Sequence, residues 1–217
     1  MLSFVRHLAL PSLVLTWLVG SCGNDPAGAA QSKGTSDGNV VAVASGKANV
    51  TGTVEGLSLA PQSAAFAGSP NVARSLFVSL DSQANVCANL QDGRVAPNQR
   101  SLLLGLSQTG NATTGAGLSP GTYPIAVAGK NAGSNHAVGL FFAGNGNCKQ
   151  SLKSSYGIVT AGSVELTAVG ASRVAGTFSL HVGDDSLEGD FDAAPCEHLV
   201  TSLAKQGNLR CQTGDDM

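Results

Sequence analysis

Ser119 lies in Gly117-Leu118-Ser119-Pro120-Gly121, the Gly-x-Ser-x-Gly spacing that can hold a serine nucleophile on a sharp strand-to-helix turn. Asp184 and His198 follow it in the order Ser, Asp, His used by one class of catalytic triad. The local sequence opposes that chemistry. A Gly/Thr-rich loop precedes Ser119, Pro120 stands where the helix would begin, and the strand-like Gly121–Val127 follows. Leu118 to Tyr123 reads better as a turn into a strand, with Leu118 buried and Tyr123 packed at the corner.

A second set of chemical groups is acidic: Asp184, Asp185, Glu188, Asp190 and Asp192. On a strand, Glu188, Asp190 and Asp192 share one face at about 6.5–7 Å intervals, too far apart to converge on a hard cation. Asp184 and Asp185 in a folded-back turn, with Glu188, are the weak metal candidates. The expected role is a solvated outer face whose like charges discourage edge pairing. His136, His181 and His198 share no motif. Asn49-Val50-Thr51 and Asn111-Ala112-Thr113 match the spacing of a glycan acceptor, a match expected to be accidental.

Beyond Cys22 the cysteines are Cys87, Cys148, Cys196 and Cys211. An even four predicts two disulfides if the chain reaches an oxidising compartment. Short loops mildly favour Cys87–Cys148 with Cys196–Cys211, though all three pairings stay open. Zinc is disfavoured because neither Cys-x-x-Cys nor a histidine at ligand spacing is present.

These groups must be carried by short strands. Gly numbers 28, charged residues are 12% and aromatics 5%, the composition of many turns rather than a helical bundle. Alternating or short apolar runs occur around Val50–Val54, Ala60–Ala67, Ser75–Leu80, Ser101–Leu106, Gly121–Val127, Ala137–Ala143, Tyr156–Val159, Ser163–Val169, Arg173–Val182 and Leu187–Ala193. Gly183-Asp184-Asp185-Ser186 is a hairpin turn between the last two. Cys87 falls in a polar loop, and Leu199, Val200 and Leu203 suggest a short helix after Pro195, with Gly207 as its cap. The pattern predicts an all-β fold, a single antiparallel β-sandwich or flattened barrel of about nine strands with a short C-terminal helix. Val174-Ala175-Gly176-Thr177-Phe178 and Leu187-Glu188-Gly189-Asp190-Phe191 repeat an apolar-x-Gly-x-Phe pattern, expected to set each aromatic over its neighbour's glycine.

The N-terminus gives the address. Arg6 and His7 precede an apolar run to Val19, then small Gly20 and Ser21 before Cys22. This is the order of a secretory leader, and at about a dozen residues with Pro11 inside, the run is too short to span a bilayer. Leu18-Val19-Gly20-Ser21-Cys22 resembles the bacterial lipobox, which implies cleavage before Cys22 and a lipidated cysteine as the new N-terminus. Gly23 after the cysteine, with Asp25 two places later, implies the outer membrane in a Gram-negative cell. Further on, Gly162-Ser163-Val164-Glu165-Leu166-Thr167, Arg173 to Phe178, and Leu187 to Ala193 ending at Cys196 resemble a pattern in uncharacterised bacterial lipoproteins with β-sandwich domains. That likeness supplies structural residues and no functional ones.

The expected organisation is a leader over 1–21, a lipidated cysteine and Gly/Ala/Ser-rich tether over 22–45, the β domain over 46–212 and a frayed tail over 213–217. Lys+Arg number 12 against 14 Asp+Glu, a net charge of −2, so no basic field draws nucleic acid. The leading expectation is a non-enzymatic, cofactor-free envelope protein, tied to the membrane by its lipid, that binds or scaffolds another envelope protein. The alternative is a small-ligand or glycan binder at the sandwich mouth, using Phe141, Phe142 and Tyr156. A serine hydrolase at Ser119 ranks last. The anchor has a direct check: labelled palmitate should enter the wild-type chain and not Cys22→Ser, and incorporation that persists in the variant would overturn the lipobox assignment.

Overall fold

A computed structural model describes residues 46–68, 74–109, 117–127, 133–153, 157–204 and 210–212, all within the compact unit Val43–Met217. Cys22, the tether, Asn111, Thr113, Tyr156, Gly207 and the tail lie outside the described residues.

The strands are β1 (Lys47–Gly52), β2 (Ser63–Gly68), β3 (Ser75–Asp81), β4 (Arg94–Val95), β5 (Arg100–Gln108), β6 (Gly121–Pro124), β7 (Asn135–Ala143), β8 (Gly157–Ile158), β9 (Ala161–Val169), β10 (Val174–Val182), β11 (Asp185–Pro195) and β12 (Arg210–Cys211). Two helices interrupt them, α1 (Val86–Gln91) and α2 (His198–Ala204). Ten strands form one continuous curled sheet, and β4 and β12 make a separate pair.

The curled sheet folds into two layers. Sheet I has the order β2-β3-β5-β7-β8, and sheet II runs β1-β11-β10-β9-β6. Within each layer all pairings are antiparallel. The layers join at both sides through parallel contacts: Ala194 and Pro195 of β11 against Ala65 and Phe66 of β2, and Ile125 against Ala137. The fold is therefore all-β, a sandwich closed along both flanks like a flattened barrel. The sheet is mixed rather than wholly antiparallel because β11 outruns sheet II. Its first part pairs with β1, and its last two paired residues turn into sheet I beside β2. Gly46 sits at that junction. A Cβ there would overlap the carbonyl oxygens of Asp192 and Ala64, so only glycine lets three strands meet.

Strict alternation fills the space between the layers. Leu76, Val78 and Leu80 of β3 and Leu102, Leu104 and Leu106 of β5 face Val174, Phe178, Leu180, Leu187 and Phe191 of sheet II in one core cluster. The repeated apolar-x-Gly-x-Phe pattern pairs as expected, with Gly176 opposite Phe191 and Phe178 opposite Gly189. Each ring tip lies where the facing glycine's side chain would be.

A smaller cluster lies on the other side of sheet I. Ala65, Ala67, Val86, Cys196 and Leu199 pack together, with Phe77, Leu90, Val200 and Leu203 against them. Cys87 stands on α1, not in a loop. Val86 and Leu90, one turn apart, give that segment an apolar stripe facing β2 and α2.

The disulfides correct the favoured pairing. Cys87 bonds Cys196 and Cys148 bonds Cys211, each with Cα atoms 5.6 Å apart and with sequence separations of 109 and 63. Short loops decided poorly because closure entropy grows slowly, by about 0.6 kcal/mol per doubling of length. Packing of α1 against α2 outweighs it. Non-reducing peptide mapping should yield Cys87–Cys196 and Cys148–Cys211 as the linked pairs, and a dominant Cys87–Cys148 peptide would overturn this arrangement. Breaking the first bond by Cys87→Ala with Cys196→Ala should lower stability by about 2–4 kcal/mol in chemical denaturation.

Candidate functional site

Successive outward residues of β3, β5 and β7 line up in four rungs across the outer face of sheet I. The registers give Ser75–Ser107–His136, Phe77–Gly105–Val138, Ser79–Leu103–Leu140 and Asp81–Ser101–Phe142. The middle of this face is apolar, with Phe77, Val138, Leu103 and Leu140, while its two end rungs carry serines, His136 and Asp81. Strand β5 shows why: its sequence Leu102-Leu103-Leu104 puts a leucine on both sides of the sheet.

The last two rungs floor a cavity of about 430 Å³. Val86 and Leu90 of α1 and Leu199, Ser202 and Leu203 of α2 wall one side. Val95, the segment around Cys148, and Cys211 wall another. The Ser202 hydroxyl donates to the Leu90 carbonyl at 3.1 Å and ties the helices to each other. Both disulfides hold the walls. Cys87–Cys196 fixes α1 to the start of α2, and Cys148–Cys211 brings β12 to the segment after β7. The size and the mixture of apolar walls with a few polar groups are those of a small-molecule site.

Asp81 is the cavity's one acidic side chain among the described residues and is 1% exposed. Its carboxylate accepts the Gln83 backbone N–H at 2.8 Å and the Gln99 side-chain amide at 2.6 Å. The orientation of Gln99 is fixed, since its amide oxygen already accepts the Ala96 N–H at 3.1 Å. Burial pushes the Asp81 carboxyl up to about 6 from 3.8, and the two hydrogen bonds only partly offset it.

The residues singled out by sequence are dispersed. Ser119 is exposed and leads into β6, so strand, not helix, follows it. Its carbonyl accepts the Tyr123 hydroxyl at 2.7 Å, while Leu118 and Tyr123 are buried, as the turn reading expects. Asp184 is exposed at the β10–β11 turn, and His198 opens α2. Asp185 accepts the Glu55 N–H at 2.7 Å, Asp190 takes both hydrogen bonds of the Asn49 amide at 3.1 and 3.2 Å, and Asp192 pairs with Arg173 at 2.6 Å. Glu188 accepts a long 3.4 Å bond from Ser179. Among the described residues no three acidic, histidine or cysteine side chains are grouped to hold a metal ion. Asp184, Asp185 and Glu188 are therefore not gathered into a ligand set.

Phe141 and Phe142 do face opposite ways. Phe141 is wholly buried in the core and Phe142 lines the cavity. The cavity lies on the outer face of sheet I, not at the sandwich mouth. Asp81 and Gln99 carried no motif. The legible signal was the unbroken apolar run in β5, which requires cover on both faces.

Asp81 sets a pH dependence. The folded state holds its proton more tightly than the unfolded chain. Its stabilising contribution is complete below about pH 3.8 and is lost as pH rises through about 6, a difference of roughly 3 kcal/mol. Urea denaturation of wild type and Asp81→Asn between pH 4 and 7 should show their stability difference shifting toward the variant by about 2–3 kcal/mol as pH rises. A difference that does not change with pH would remove Asp81 as the cause.

No family model, curated protein or solved structure matches this chain, so its functional reading rests on the chemistry of the cavity and on the N-terminal sequence.

Proposed function

We propose that the chain is an exported lipoprotein, held at the outer membrane through Cys22, that binds a small, largely apolar molecule and does not transform it. The address rests on the Leu18–Cys22 string and on the leader before it. Two disulfides suit an oxidising compartment.

The binding role rests on the 430 Å³ cavity on the outer face of sheet I. Leu103, Leu140 and Phe142 supply an apolar floor, and Asp81 and Ser101 supply polar contacts at one end. A glycan would want several exposed aromatic platforms, whereas Phe142 is the cavity's one aromatic among the described residues. An apolar body fits better. The scaffold reading has its own observation. On the uncovered part of the same face Val138 is 52% exposed, and Ile158, opposite Leu140 on β8, is 57% exposed, a small apolar strip for a protein partner.

The neutral fluorophore N-phenyl-1-naphthylamine tests the binding role. Its emission should rise and saturate at one site per full chain, above a blank of detergent alone. Leu103→Trp, which fills the floor of the cavity, should weaken binding at least tenfold while the circular dichroism spectrum is kept. Non-saturating emission, or unchanged affinity in Leu103→Trp, would refute a ligand role for the cavity.

A further inference from the structure

We propose that the outer-face cavity is a receptor for a small organic cation, an ammonium group on an apolar or aromatic body, with Asp81 as its counter-ion. This rests on the cavity being a ligand site and names the class of ligand.

Among the described residues no lysine, arginine or histidine lines the cavity. Arg100, next to Ser101 in sequence, turns away and donates to the Ser58 carbonyl at 2.6 Å. Arg94, Lys149 and Arg210 neighbour lining residues in sequence but are exposed to solvent. The shift of Asp81 has desolvation as its main cause and two hydrogen bonds as its remaining causes, with no ionic partner among them. Above about pH 6 the cavity therefore holds an ionised carboxylate with no cation beside it among the described residues. An uncompensated charge at a shielded position is costly and marks a site where a ligand brings the opposite charge.

The geometry leaves room for that charge. Each Asp81 oxygen accepts one hydrogen bond, from Gln83 or from Gln99, and an ionised carboxylate can accept about four. An ammonium hydrogen can take an open position as a charge-assisted bond. Phe142 lies on the same rung as Asp81, with Ser101 between them. Asp81 and Phe142 stand two strands apart on one face, so an organic cation held at Asp81 can reach toward the ring, whose face attracts positive charge. Leu103 and Leu140 on the next rung would take the apolar body. A hard metal ion is the wrong occupant: it needs several oxygen ligands and a hydrated site, and here one carboxylate stands among leucines. An anion would meet the Asp81 charge.

Three probes of matched shape test this by displacing N-phenyl-1-naphthylamine from the full chain at pH 7.5. They are 2-phenylethylammonium, 2-phenylethanol and 3-phenylpropanoate. The ammonium should bind at least tenfold more tightly than the alcohol, and the carboxylate should be weakest. Asp81→Asn should bring ammonium and alcohol within about twofold of each other. Should that variant fail to fold, the Asp81 side-chain carboxyl resonance of wild type, in a chain labelled with ¹³C-aspartate, should move with the ammonium and not with the alcohol. An alcohol that binds as well as the ammonium, or a preference retained in Asp81→Asn, would overturn the cation assignment and leave the cavity a neutral-ligand site. Failure of the fluorophore itself to bind would instead overturn the ligand reading beneath it.

Discussion

A β-sheet with leucines on both faces needs cover wherever they cluster, and sheet I carries Leu103 and Leu140 on the face away from the core. Its inner face meets sheet II across the core. Its outer face needs separate cover, and among the described residues that cover is two short helices, α1 and α2, of 6 and 7 residues, with the segments around Val95, Cys148 and Cys211 beside them. Helices of that length are far below the dozen or so residues at which an isolated helix becomes even marginally stable. They hold because they pack on Ala65, Ala67 and Phe77, and because Cys87–Cys196 ties one to the start of the other. The disulfide is a structural condition for covering the face, and the cavity is the part of that face the cover encloses without filling.

The same constraint orders the rest of the sandwich. Sheet II shows a simpler pattern, with buried and exposed residues alternating along β10 and β11. Its outer face carries Glu188, Asp190 and Asp192 and meets solvent without helical cover. Their partners, Ser179, Asn49 and Arg173, come from neighbouring strands or the segment leading into one, so the acidic row is cross-strand pairing. Exposed pairs of this type add little stability. The tightness of sheet II comes from inside, where Phe178 and Phe191 sit over Gly189 and Gly176.

Sequence pattern revealed the strands because alternation is a local signal. The runs at Ser75–Leu80 and Arg173–Val182, the hairpin at Gly183–Ser186 and the turn at Leu118–Tyr123 are all decided by residues within a few positions of one another. The opposite orientation of Phe141 and Phe142 follows from the same period of two. What stayed hidden was long-range. Cys87 and Cys196 meet because two helices pack, and no local spacing encodes that. The parallel junction at Ala194 and Pro195 depends on β11 outrunning its own sheet. Asp81 looked like the end of an apolar strand, and only the return of Gln99 from eighteen residues away makes it a held, buried acid. The odd leucines, Leu103 and Leu140, were the one local sign of a covered outer face, and they could not say what covers it.

Asp81 shows how the cover and the cavity are linked. One oxygen holds the Gln83 N–H, and Ser63 donates to the Gln83 carbonyl at 2.6 Å, so the turn after β3 is pinned to β2. The other oxygen holds Gln99, which in turn fixes Ala96 just after β4. A protonated or neutral group could satisfy only part of this, because both contacts ask for an acceptor. The two hydrogen bonds favour the charged carboxylate, but burial penalises that charge by more, so the fold is most stable with Asp81 protonated. Proton uptake relieves the penalty as pH falls, and at higher pH a positive charge received at the Asp81–Ser101–Phe142 rung would relieve it in the proton's place.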